Sequence, residues 1–112
     1  MKKWRCDIYG VDFVFFFGVP HKQFKKWIDS NVGKGFLETE LGSSVDYSGL
    51  TIKNRPNKSI IIWTDKKDYS VLAHECLHAC MTIFKWVGIE PDVDNDEPLA
   101  YLLSAIMENS SK

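Results

Sequence analysis

The chain has little that would mark a secreted, membrane-spanning or nucleic-acid-binding protein. Its three cysteines, Cys6, Cys76 and Cys80, are an odd number without the paired spacing of a secreted disulfide scaffold. Cys76 and Cys80 stand one helical turn apart, a poor geometry for a bridge, so the thiols point to a reducing cytoplasm. No apolar run reaches the ~20 residues needed to cross a bilayer. The Phe-rich stretch from Val11 to Val19 contains Asp12 and meets Pro20 and His21 with no small-residue cleavage site, so it reads as strand rather than signal peptide. An excess of either charge is also missing. Fourteen basic and fifteen acidic residues leave a net charge of −1, which argues against a nucleic-acid partner. Linkers, repeats and low-complexity segments are absent, and residues 1–112 are expected to form one small domain.

What is present is an ordinary globular content, 45% hydrophobic and 13% aromatic. Trp4 to Ile8 and Val11 to Phe17 are β-prone and flank Tyr9-Gly10, which predicts a hairpin or a bulged strand. From His21 the apolar positions Phe24, Trp27 and Ile28 follow helical spacing, with Lys22, Lys25 and Lys26 mostly off that stripe as a solvated face. Residues 36 to 48 read as a loop. Leu50 to Lys53 and Ser59 to Trp63 are short strands joined by a turn over Asn54 to Lys58. Asp65 or Asp68 caps a long helix from Tyr69 to Val87, and Gly88 ends it. A last helix opens at Glu97-Pro98 and runs to Asn109, with Leu99, Leu102, Leu103 and Ile106 as its core stripe. The order β-β-α-β-β-α-α predicts an α+β fold: a small antiparallel sheet of four strands, one N-terminal helix, the long helix and a C-terminal helix.

The long helix carries His74-Glu75-Cys76-Leu77-His78, an H-E-x-x-H pattern. Residues i and i+4 share a helix face, so two imidazoles can reach one Zn²⁺ at ~2.0–2.1 Å. Glu75 lies about 100° around the axis, where it can take a proton from a water activated by the metal. Cys76 and Cys80 fall roughly opposite the histidines and read as small core residues. A helix this apolar implies burial, and buried ionisable groups need partners. The plain alternatives are two satisfied core histidines and a Glu75 held in a salt bridge.

With Glu97 eighteen residues beyond His78, the pattern His74-Glu75-x-x-His78-x18-Glu97 resembles the gluzincin metallopeptidases. That resemblance implies a catalytic zinc ion held by His74, His78 and Glu97, with Glu75 as general base. It also implies that the strand before the metal-binding helix, Ser59 to Trp63, borders the cleft and pairs with an extended peptide. The phrases Gly49-Leu50-Thr51-Ile52, Ile60-Ile61-Ile62-Trp63 and Glu97-Pro98-Leu99-Ala100-Tyr101 further resemble small phage- or prophage-encoded zincin-like proteins, which implies work in a host cytoplasm.

Asp94 and Asp96 compete with Glu97 as third ligand, or orient a ligand histidine from outside. The run Asp92-x-Asp94-x-Asp96 is not a Ca²⁺ loop, because Glu97 stands where the turn glycine belongs and Leu103 where the bidentate glutamate belongs. Tyr101, one turn after Glu97, is a candidate hydrogen-bond donor to a reacting oxyanion, or a core tyrosine. The expected function is a small zinc-dependent peptidase acting on a peptide or protein. The alternative is a non-catalytic zinc-binding protein of a phage or mobile element that engages a host or defence protein, its metal serving as a fold staple.

Overall fold

The computed structural model describes residues 1–37 and 48–111. The expected loop over residues 36 to 48 therefore lies mostly outside the described residues. Those described form β1 (Lys2–Cys6), β2 (Val11–Phe16), α1 (His21–Asn31), β3 (Gly49–Asn54), β4 (Ser59–Thr64), α2 (Tyr69–Val87) and α3 (Glu97–Ser111). The four strands make one sheet in the order β1-β2-β4-β3. This is the expected α+β class, with the expected strands and helices.

The pairing is mixed rather than antiparallel throughout. β1–β2 and β3–β4 are antiparallel hairpins, but β2 and β4 run parallel, with Phe13 opposite Ile60 and Phe15 opposite Ile62. A parallel pair needs a long crossover, and the chain between β2 and β4, which includes α1, provides it. Two hairpin signals in the sequence reveal their own pairings but not how the hairpins join.

β1 also begins and ends two residues earlier than the sequence suggests. The turn occupies residues 7–10, where Gly10 takes φ +65° and its N–H donates to Cys6 O at 2.8 Å. Ile8 is consequently left 87% exposed in the turn. Glycine reaches this left-handed conformation without a Cβ clash, and that fixes the register.

Strand alternation gives the sheet two apolar faces. On one, Val11, Phe13, Phe15, Ile60 and Ile62 pack against Leu72, Cys76, Ala79, Cys80 and Ile83 of α2 and Leu102 and Ile106 of α3. On the other, Phe16, Ile61 and Trp63 pack against Phe24 and Ile28 of α1 and against Leu37. The Trp63 ring stacks on Phe24 at 5.1 Å, and its indole N–H donates to Val19 O at 2.7 Å, so the buried polar edge is satisfied. Among the described residues, no helix is long and apolar enough to cross a membrane.

Candidate metal centre

Asp68, not Asp65, caps α2. Its Oδ1 accepts from Ser70 N at 2.9 Å, Ser70 Oγ at 2.6 Å and Val71 N at 3.4 Å. The Ser70 hydroxyl bond, followed by the two backbone bonds, holds the Asp68 carboxyl below the usual carboxylate range. Gly88 ends the helix at φ +77° with its N–H on Phe84 O.

Between these ends α2 is two-sided, not buried all round as its composition suggests. Leu72, Glu75, Cys76, Ala79, Cys80, Thr82, Ile83 and Phe84 are buried. His74, Leu77, His78, Met81 and Lys85 form an exposed stripe. The histidines are therefore not core residues. Their Nε2 atoms converge to 3.1 Å, with the rings 4.7 Å apart and nearly perpendicular. Two nitrogens on a tetrahedral Zn²⁺ at ~2.0–2.1 Å would stand ~3.3–3.4 Å apart, so the observed spacing fits the ion closely. Without metal the same distance is a hydrogen bond, in which one ring's Nε2–H donates to the other.

Glu75 lies on the buried flank of this face, and its partner comes from β3. The Thr51 hydroxyl stands 2.7 Å from Glu75 Oε1 and 3.0 Å from the Glu75 carbonyl. On β3, Leu50 and Ile52 pack toward α1, so alternation turns Gly49 and Thr51 toward α2. A Cβ at Gly49 would come within 2.7 Å of Val71 Cγ1 and 3.1 Å of Glu75 Oε2. Only a glycine lets the strand approach the carboxylate this closely. No salt bridge involves Glu75 among the described residues.

Sequence reasoning missed the Thr51–Glu75 contact and the role of Gly49. The available signal was the alternation Gly49-Leu50-Thr51-Ile52, which puts a small and a hydroxyl residue on the face opposite two aliphatics. The strand that the resemblance sets beside a substrate, Ser59 to Trp63, is interior to the sheet. β4 is hydrogen-bonded on both sides, to β2 and β3, so it has no free edge to offer a peptide. Among the described residues, β3 is the edge strand, and it lies beside Glu75.

The remaining predicted site residues are not brought to the histidine pair. α3 runs back along α2 on the cysteine side, with Ser110 bonded to Cys76 near one end. At its other end, Pro98 and Leu99 share a hollow with Phe84 and Ile89, and Asp92 and Asp96 line that hollow. Glu97, at the first position of α3, thus sits by the far end of α2. Asp94 is held in the preceding turn, with its N–H on Asp92 Oδ1 at 2.9 Å. Tyr101 is 72% exposed. Among the described residues, no third His, Cys, Asp or Glu joins His74 and His78.

Cys76 and Cys80 are free and fully buried, on the side of α2 away from the histidines, as the helical spacing predicts. Burial pushes each thiol up to about 12, with Cys80 adding to the shift of Cys76 and Cys6 adding to that of Cys80. Neither is a thiolate ligand at neutral pH. Comparison of the chain with protein-family models, curated proteins and solved structures finds no match.

Proposed function

We propose that the chain is a zinc-dependent hydrolase of the metallopeptidase type, with His74 and His78 as metal ligands and Glu75 as general base. The observation that carries this reading is the 3.1 Å convergence of the two Nε2 atoms, with a carboxylate fixed on the adjoining flank. Zinc, when bound, supplies the Lewis acidity that makes water a nucleophile near neutral pH. Thr51 engages Oε1 of Glu75 and so fixes the carboxylate that would take the proton of the attacking water and pass it to the leaving amine. The outer edge of β3, which no described strand pairs with, lies next to that carboxylate and is the surface on which an extended peptide or protein substrate would lie. Glu97, Asp94 and Asp96 do not complete the donor set in this arrangement. The three free thiols suit a reducing cytoplasm, that of a host cell if the gene is a phage's.

A second reading, a non-catalytic zinc-binding protein that engages a partner protein, is favoured by one observation. The histidines stand on an exposed stripe with no third donor among the described residues. Metal analysis and peptide-library cleavage separate the two. Glu75→Gln should keep the metal and abolish cleavage if the chain is a hydrolase. Bound zinc with no cleavage by either protein supports the binding role, and a wild type that binds no zinc overturns both.

A further inference from the structure

The loop between α2 and α3 holds five acids within eight residues, Glu90, Asp92, Asp94, Asp96 and Glu97, and takes no part in the proposed metal chemistry. We propose that this loop and the adjoining helix ends form a docking site for a partner protein, which enters as an extended basic segment carrying one aliphatic side chain. The proposal goes beyond the metal site and does not depend on it.

The apolar half of the site is a hollow of about 200 Å³, walled by Phe84 near the end of α2, Ile89 just past it, and Pro98 and Leu99 at the start of α3. Sites for drug-sized ligands run to ~300–1,000 Å³, so this one has room for a single side chain instead. Glu90, Asp92 and Asp96 border the same hollow. An apolar floor inside a polar rim is how contact patches between proteins are built. The rim is held in place, because Asn95 N donates to Asp92 O at 3.0 Å and Asp94 N to Asp92 Oδ1 at 2.9 Å. That turn carries Val93, which is 90% exposed.

Charge decides what enters. Residues 88–100 contain no lysine or arginine, whereas the rest of the chain carries fourteen basic against ten acidic residues. The acidic excess is therefore confined to this loop. All five acids are exposed. The ion pairs among the described residues, Arg5 with Asp7 and Asp12 and Lys25 with Asp29, leave them out. Residues 38–47, outside the described ones, add Glu38, Glu40 and Asp46 and no base, so they bring no counter-charge. Like charges this close repel, and a partner's lysines or arginines relieve that repulsion while steering its approach. One side chain's hollow is far below the ~1,200–2,000 Å² of a stable interface, so binding should be weak and sensitive to salt.

Panning a display library of random heptapeptides on the full chain, in EDTA, tests this. The expected result is enrichment of peptides with two or more lysines or arginines around one Leu, Ile, Met or Val. Fluorescence anisotropy with an enriched peptide should show affinity falling at least tenfold in the double variant Asp92→Asn with Asp96→Asn. It should fall as far when the peptide's aliphatic residue becomes serine. Asparagine keeps the Oδ1 acceptor that Asp94 N uses, so the turn survives the change. His74→Gln should bind the peptide as the wild type does, which separates this result from the fate of the metal reading. No enrichment, enrichment of peptides without basic residues, or binding that the double variant leaves unchanged overturns the proposal. A doubled mass in sedimentation velocity that returns to 12.9 kDa in the double variant also overturns it, because a second copy then fills the hollow.

Discussion

The Thr51 hydroxyl on the edge strand lies 2.7 Å from Oε1 of Glu75 on the central helix, and this contact ties the sheet to the candidate metal face. Glu75 is only 8% exposed, so its carboxylate depends on that donor in place of bulk water. Thr51→Val keeps the shape and removes the donor. Urea denaturation should show a loss of about 1–3 kcal/mol, and Thr51→Ser should recover most of it. Equal stability of the valine variant and the wild type would show that the bond carries no weight.

Gly49 is the second half of the same contact. Its φ lies outside the left-handed range, so alanine is allowed by the backbone and is penalised only by the clash with Val71 and Glu75. Gly49→Ala should cost about 1–3 kcal/mol as the strand and helix are pushed apart. Adding Val71→Ala, which removes the Cγ1 atom at 2.7 Å, should restore part of that loss in the same denaturation series.

Metal binding predicts ligand-dependent stability. Zinc held at 100 times its dissociation constant should stabilise the folded chain by about 2.7 kcal/mol, read as a rise in Tm by calorimetry. His78→Ala should lose the zinc response and keep the metal-free stability within about 0.5 kcal/mol of wild type, because the imidazole is exposed. A large loss of stability in the metal-free variant would instead give the pair a structural role.

The Cys76 and Cys80 thiols sit at 0% exposure and remain protonated to about 12, against an ordinary value of 9.0. In the native protein at pH 8 they should resist a thiol-specific disulfide reagent, and in guanidinium they should react fully. Between about pH 9 and 12 the unfolded chain has lost these protons while the folded chain keeps them. Stability therefore falls as pH rises through that window. Cys80→Ala should flatten the fall, as measured by denaturant midpoints at pH 8 and pH 10.5.

Local chemistry made several elements legible in the sequence. Asp68 and Gly88 bracket α2 because a carboxylate cap and a left-handed glycine act over one turn. The helical angle alone put Cys76 and Cys80 opposite His74 and His78, and it made the histidines neighbours. The mixed pairing was not legible, because the parallel β2–β4 contact joins residues more than forty positions apart and leaves no local mark. The apolar composition of α2 likewise suggested a helix buried all round, because composition does not say how many sides neighbours cover.

By itself, then, the sequence determined the elements, the glycine stop of α2 and a pair of imidazoles one turn apart, since these follow from backbone and side-chain geometry within a few residues. Only the tertiary structure decided what surrounds that pair. The α3 helix packs on the cysteine side of α2 because its Leu102–Ile106 stripe must meet the apolar face, and this carries Glu97 to the far end of α2. The β3 strand pairs with the side of β4 that β2 leaves open, and this brings Thr51 and Gly49 to Glu75. Burial of apolar surface sets both placements, and it acts between segments that are remote in sequence.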